Sequence, residues 1–193
     1  MDQFMRNDTR VLEANPQGGG AFGDLPAWDL SDLYASEDAP ELHADLKQIE
    51  QACEDFSKDY DGKLAQLTAD EMLKAVERYE AIDIIAGRIM SFAGLRYYQL
   101  TTDPERAKFM SDMQDKLTEH TTKLVFYGLE FNRLDDEVLS NLLSQNIALA
   151  RYKPVFDRMR AMKPYQLSDE MEKFLHDQSV VGAAAWNRLF DET

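Results

Sequence analysis

The sequence predicts an all-α fold: a bundle of long antiparallel amphipathic helices with a flexible N-terminal arm. Three observations favour this class. From residue 38 onward, apolar side chains recur at steps of three and four, the spacing of one face of an α-helix. Helix start signals precede several of these stretches. No stretch alternates apolar and polar residues in the manner of a half-buried strand.

The N-terminal residues 1–26 read as a flexible segment. A run of three glycines at 18–20 and two prolines interrupt any regular pattern there. The apolar cluster that follows indicates an ordered arm that docks on the body, and its members are Trp28, Leu30, Leu33 and Tyr34. Residues 27–193 are therefore expected to form one helical domain, which is a normal size for a single core.

The first long helix is predicted from Asp38 to Tyr60. Its apolar stripe repeats every three or four residues, and Gly62 follows at the position where a helix C-terminus favours glycine. The stripe consists of Leu42, Leu46, Ile49, Cys53, Phe56 and Tyr60. One face of this helix should therefore be buried.

The second helix is predicted to start at Thr68, because Glu71 three residues later completes a capping box. It continues through residues 82–100, where apolar side chains spread around more of the circumference, so it is expected to be central. Gly87 and Gly94 lie seven residues apart on one face of it. Small residues in this arrangement predict close approach of a neighbouring helix.

The third helix is predicted to begin at Asp103 and Pro104 and to run without a break to Phe131. A fourth, shorter helix follows Asp135. Prolines 154 and 164 divide the rest of the chain, and Ser168 is expected to cap the next helix. The chain then ends on a helical stripe made by Trp186, Leu189 and Phe190.

Composition and charge restrict the partners. The 36 acidic and 21 basic residues give a formal net charge of -15, which repels both nucleic-acid phosphate and anionic membrane surfaces. No apolar stretch approaches the roughly 20 residues needed to cross a bilayer, and residues 1–27 lack a secretory signal. A cytoplasmic protein without nucleic-acid or membrane partners is therefore expected.

The single cysteine, Cys53, lies on an apolar helix face. One cysteine allows no internal disulfide and no cysteine zinc cluster. Because no histidine is near it in sequence, Cys53 is interpreted as a small buried apolar residue rather than a nucleophile.

The histidines His43, His120 and His176 match no metal-site spacing. None is followed by glutamate with a second histidine four residues on, and none has glutamate three residues before it. His120 is expected to be partly buried and the other two to lie at the surface. The four tyrosines Tyr97, Tyr98, Tyr152 and Tyr165 are interpreted as core residues with anchored hydroxyls. No catalytic residue, metal ligand or cofactor site is therefore predicted in this chain.

Four stretches of the sequence nevertheless resemble a known family in order and approximate spacing. They are WDLSDLY at 28–34, GRIMSFAGLRYYQLTTDP at 87–104, LARYKPVFDRMR at 149–160 and KPYQLSDEMEKFLHDQSVVGAAAWNRLFDET at 163–193. The resemblance is to the N-terminal region of the oligoendopeptidase F family, which belongs to the thimet-oligopeptidase-like zinc metallopeptidases. It implies a helical cytoplasmic enzyme that hydrolyses short peptides in a deep channel, with these helices forming part of the wall and lid.

The resemblance also implies that the chemistry resides elsewhere. In the family, zinc is held by a His-Glu-x-x-His helix and a further glutamate that come much later in the chain, and no such motif occurs in residues 1–193. This chain alone is therefore expected to hold no zinc and to cleave no peptide. Its oligopeptide substrate would be bound together with the missing catalytic region.

Three hypotheses remain open at this point. Trp186, Leu189 and Phe190 are candidate contacts with the missing catalytic region. Alternatively, the chain is a stand-alone helical module that binds a peptide or partner helix in a groove, or forms a homodimer through its C-terminal helix. A metal-free enzyme would need a carboxylate or histidine with a perturbed pKa in a pocket, which sequence does not reveal.

Overall fold

A computed structural model describes residues 28–192, and the flexible segment predicted at 1–26 lies outside them. The described part is all-α, without a strand, which confirms the predicted fold class. Its helices are α1 (Pro40–Tyr60), α2 (Ala69–Tyr98), α3 (Pro104–Thr121), α4 (Val125–Arg133), α5 (Asp136–Gln145), α6 (Ile147–Ala150), α7 (Lys153–Ala161), α8 (Asp169–Gln178) and α9 (Ala183–Glu192). No described helix combines the length and apolar character required to traverse a bilayer.

Helices α1 and α2 pack antiparallel. Asp45 pairs with Arg88 near one end of the two helices, and Asp59 pairs with Arg78 at 2.7 Å near the other end. The later residue of α1 therefore pairs with the earlier residue of α2, so the two helices run in opposite directions. Helix α3 packs on both α1 and α2, which makes a layer of three long helices.

Aromatic residues from three helices meet in the core beneath this layer. Phe56 of α1 is fully buried and contacts the rings of Tyr79, Phe126 and Tyr127 at centroid distances of 5.6 to 5.9 Å. Tyr79 stacks on Tyr127 at 4.5 Å. Cys53, one turn before Phe56, is also fully buried, as the sequence predicted. These contacts join α1, α2 and α4 into one hydrophobic core.

The connection after α1 depends on a glycine and on a distant carboxylate. Gly62 has a φ of 77°, the left-handed conformation that glycine adopts without steric cost. The Glu130 carboxylate accepts hydrogen bonds from the backbone amides of Gly62 (2.6 Å) and Leu64 (3.2 Å). This contact fixes the α1 to α2 turn on α4.

The predicted helix start signals are confirmed at three places. Thr68 and Glu71 form the capping box of α2. Asp103 accepts from the amides of residues 105 and 106 at the start of α3, and Ser168 accepts from the amide of Met171 at the start of α8.

The prediction of one unbroken helix from Pro104 to Phe131 was wrong. Helix α3 ends at Thr121, and a 3₁₀ turn at Thr122–Leu124 separates it from α4. The Thr122 hydroxyl lies 2.7 Å from the carbonyl oxygen of Thr118, four residues earlier. The backbone N–H of Thr122 also donates to this carbonyl, and a threonine hydroxyl that shares such a carbonyl often bends a helix.

Two further expectations need correction. Neither glycine of α2 brings a second helix close, since a Cβ at Gly87 would meet nothing within 4 Å and one at Gly94 would meet only Tyr98 of its own helix. Of the four tyrosines interpreted as core residues, Tyr98 is 52% exposed and Tyr165 is 74% exposed. Helical position alone did not reveal that these two side chains lie outside the core.

The predicted docked arm is present over residues 28–39 and is held mainly by Tyr34. This ring is buried, and its hydroxyl donates to the Asp45 carboxylate at 2.6 Å. Arg88 donates to the same hydroxyl at 2.9 Å and lies over the ring. Trp28, placed in the same apolar cluster from sequence, is instead more than half exposed.

Candidate functional site

The main candidate site is an exposed apolar surface on the C-terminal helices. Large apolar side chains that are about half exposed or more are concentrated beyond residue 160. We call them the C-terminal apolar surface: Met162, Tyr165, Leu167, Met171, Phe174, Leu175, Val181, Trp186, Leu189 and Phe190. Exposed apolar side chains at this density are unusual for a monomer and are typical of an interaction site.

Helix α8 is docked with its polar side toward the protein. It has no buried residue, and three of its polar side chains form hydrogen bonds with the body, namely Asp169, His176 and Asp177. Its apolar side chains Met171 and Phe174 are 46% and 57% exposed. An amphipathic helix on a core normally has the opposite orientation, so the apolar face of α8 remains accessible at the surface.

Three polar contacts attach α8 to the bundle. Asp169 forms a two-bond ion pair with Arg133, the last residue of α4. This guanidinium lowers the pKa of the Asp169 carboxyl. His176 Nε2 lies 3.2 Å from the hydroxyl of Thr121, and Asp177 lies 2.5 Å from the hydroxyl of Thr122.

Helix α9 presents the residues that the sequence selected as candidate contacts. Trp186 is 71% exposed and Phe190 is 81% exposed, and Leu189 between them is 49% exposed. The spacing of three and four places them on one face. Arg188 reaches from α9 to the hydroxyl of Ser111 on α3 at 3.3 Å. As in α8, a polar side chain makes the contact with the body while bulky apolar side chains face outward.

Helix α7 is attached much more firmly. Its Phe156 is almost fully buried and packs on the ring of Phe131 at 4.5 Å. Arg160, whose side chain is 12% exposed, donates to the carbonyl oxygens of Phe131 (3.1 Å) and Leu134 (2.9 Å) and pairs with Asp136. The C-terminal apolar surface therefore starts from a well-anchored helix.

A cavity of about 370 Å³ lies where α8 meets the bundle. Its apolar walls come from α2 and from the α3 to α4 junction, and its polar groups are Asp83, Thr121 and His176. Burial raises the pKa of Tyr79 in the same wall, and the negative charge of Asp83 raises it further. Gly128 also lines this cavity, and a Cβ added there would meet no atom within 4 Å.

The histidines behave partly as the sequence predicted. His43 is exposed and His120 is half-buried. The surface position expected for His176 was wrong, since it is half-buried and bonded to Thr121, a residue 55 positions earlier. Sequence spacing does not reveal a contact between such distant segments. It also does not reveal that Asp83 lines the same cavity as His176.

The described side chains, those of residues 28–190, contain no group of three or more His, Cys, Asp or Glu that could hold a metal ion. The described residues therefore do not fit a zinc site, and no zinc-dependent step is assigned to them.

The segment that carries this surface is similar to a known protein family. Residues 130–193, from the end of α4 to the last residue, match the family model described as Oligopeptidase F. This C-terminal third of the chain is therefore similar to the oligopeptidase F family. The family match contains the whole of α5 to α9 and hence the entire C-terminal apolar surface.

Two curated relatives in this family extend the similarity over most of the chain. They are the plasmid-encoded oligoendopeptidase F of Lactococcus lactis subsp. cremoris and an oligoendopeptidase F homolog of Lactococcus lactis subsp. lactis strain IL1403. Each is 24% identical over 148 residues, which are 77% of this chain and 24% of the relative. The similarity therefore spans about a quarter of the length of these relatives. No solved structure matches the chain.

Proposed function

We propose that this chain forms helical wall and lid structure of a cytoplasmic, zinc-dependent oligoendopeptidase that hydrolyses short peptides. In this proposal the zinc ligands and the water-activating glutamate lie outside residues 1–193, and the chain contributes shape to the peptide channel rather than chemistry. The observation that carries the proposal is the outward apolar face of α8 and α9, which lies entirely within the segment that matches the family.

The occupant proposed for this face is the catalytic region of the same enzyme. Burying one large apolar side chain contributes about 1.5–3 kcal/mol, so covering Phe174, Trp186 and Leu189 alone gives a substantial association energy. The polar contacts of α8 with the bundle remain formed in such an assembly, because they use the opposite side of the helix. The α8 to α9 segment then lies between the bundle and the catalytic region.

The first test is to read the encoding DNA beyond the codon for Thr193. The proposal expects an open frame that continues to a His-Glu-x-x-His motif. The longer product should bind zinc and cleave short peptides, whereas residues 1–193 alone should hold no stoichiometric zinc and cleave none. A frame that ends without the motif, or chelator-sensitive cleavage by residues 1–193, contradicts the proposal.

The second test addresses the surface itself in the longer product. Replacing both Trp186 and Phe190 with serine should lower peptide cleavage and the thermal stability of the longer product. Ile147→Ser is the matched control, because Ile147 is 87% exposed on α6, outside the C-terminal apolar surface. If the control and the double variant have equal effects, the C-terminal apolar surface does not contact the catalytic region as proposed.

Association with a second copy is the alternative, and the same exposed face favours it. If the chain is a stand-alone binding module whose partner is a second copy of itself, its α9 face should pair in solution. Sedimentation would then show a concentration-dependent dimer that is lost in the Trp186→Ser and Phe190→Ser double variant and kept in Ile147→Ser. A wild-type chain that stays monomeric at all concentrations excludes the homodimer.

A further inference from the structure

The cavity between α2, the α3 to α4 junction and α8 is separate from the C-terminal apolar surface. It is formed by residues that are far apart in sequence, and Asp83 and His176 lie on different walls. Its volume of about 370 Å³ falls within the range of small-molecule sites, roughly 300–1,000 Å³. His176 comes from α8, and the other described lining residues come from α2 and the α3 to α4 junction, where Ile82 and Leu124 are buried.

The lining combines an apolar body with one carboxylate. The apolar contribution comes from the aromatic ring and the aliphatic groups in the walls: Tyr79, Ile82, Ala86, Leu124 and Val125. Among the described residues, no lysine or arginine lines the cavity. The Thr121 hydroxyl and the His176 ring are bonded to each other, and Asp83, an exposed residue, supplies the carboxylate of the lining.

Charge and shape together restrict the ligand class. A carboxylate beside an aromatic ring favours an ammonium group, through ion pairing with Asp83 and cation–π attraction to Tyr79. The overall charge of -15 further disfavours an anion. The aliphatic walls favour a compact apolar group attached to that ammonium.

We infer that this cavity binds a primary ammonium carried on a compact apolar group, such as an arylalkylamine or the amino-terminal residue of a peptide with an apolar side chain. Asp83 receives the ammonium, and the space in front of Gly128 takes the apolar group. The site is independent of the enzyme assembly proposed above, because it uses only residues of this chain.

The test is a titration of the full chain with phenethylamine, monitored by ¹H–¹⁵N correlation spectra. Saturable shifts are expected for the amides of Thr121 and Gly128, whereas phenylacetate, which has the same ring and the opposite charge, should cause none. Adding the peptide Phe-Gly-Gly separates the two sources of the chemistry. Tighter binding of the peptide identifies a peptide amino terminus as the ligand, and tighter binding of the amine identifies a free amine.

Two variants test the assigned roles. Asp83→Asn should weaken phenethylamine binding by about fivefold, the effect of one partly exposed charge pair. Glu77→Gln, an exposed carboxylate on the same helix, is the control and should leave the affinity unchanged. Gly128→Leu should abolish the saturable shifts by filling the cavity, with a native spectrum confirming that the variant folds.

Three results would overturn the inference. The first is equal binding of phenylacetate and phenethylamine. The second is an affinity unchanged in Asp83→Asn, a surface variant that does not depend on the outcome of Gly128→Leu. The third is the absence of saturable shifts with both phenethylamine and Phe-Gly-Gly. None of these results bears on the apolar surface of α8 and α9, so the site and the proposed function fail separately.

Discussion

Replacing Arg160 with methionine should destabilise the protein more than any other change at a partly exposed residue of α7. The guanidinium joins the end of α4 to the start of α5, because it bonds the carbonyl oxygens of Phe131 and Leu134 and the carboxylate of Asp136. Methionine keeps most of the apolar stem, so the substitution removes the charged donors and little packing.

The magnitude follows from the three contacts. Asp136 is 90% exposed, so the ion pair contributes less than about 1 kcal/mol. Each hydrogen bond from a charged donor to a carbonyl contributes about 1.5–3 kcal/mol, and water re-solvates part of what is lost at the helix end. We therefore expect a loss of about 2–4 kcal/mol for Arg160→Met, a large fraction of a typical stability of about 5–15 kcal/mol.

The assay is urea unfolding followed by far-ultraviolet circular dichroism. With a slope of about 2 kcal/mol per molar, the midpoint of Arg160→Met should fall by about 1–2 M. Arg158→Met is the matched control, because Arg158 is exposed on the same helix, and surface changes usually stay within about 0.5 kcal/mol. Arg160→Lys should lose about half as much, because a single ammonium cannot reproduce the planar fork. Equal midpoints for the two methionine variants would refute the assignment.

Three further predictions concern single residues elsewhere. Burial raises the pKa of Cys53 to about 11, so its reaction with a disulfide reagent at neutral pH should be at least about hundredfold slower in the folded than in the unfolded chain; comparable rates would show that α1 opens readily. Burial and the hydrogen bond to Asp45 raise the pKa of Tyr34 to about 12, so its contribution to stability is complete below pH 10 and declines as the pH rises from 10 to 12. Because the pKa values of Cys53 and Tyr79 are raised as well, a pH titration of the unfolding free energy should show an alkaline decline in both proteins, and the decline should be steeper in the wild type than in Tyr34→Phe. Thr68→Ala should lower stability by about 1 kcal/mol through loss of the α2 cap, and an equal loss in Thr102→Ala, an exposed turn residue, would argue against a capping effect.

Local signals in the sequence were sufficient to predict where helices begin. Thr68 with Glu71, Asp103 with Pro104, and Ser168 each act on amides within three residues, so the pattern contains the complete interaction. The stripe of α1 was equally informative, because burial of Ile49 and Cys53 follows from their helical spacing. The predicted all-α class rests on these short-range effects.

Long-range contacts could not be predicted in the same way. The stripe from Pro104 to Phe131 keeps its steps of three and four through the 3₁₀ turn, so periodicity did not reveal that Thr122 ends the helix. The cavity depends on contacts between Thr121 and His176, which are 55 residues apart. Amphipathicity located the two faces of α8 but not which face meets the bundle, because both orientations have the same sequence pattern.

The reversed orientation of α8 separates two kinds of mutation. Changes at Asp169 or His176 act on how the helix is held within this chain, whereas changes at Phe174 act on whatever covers its outer face. A library of variants screened once for folding and once for association should therefore give two lists with little overlap on this one helix. The two opposite faces of this ten-residue helix would then report on two different equilibria, one within the chain and one between the chain and its partner.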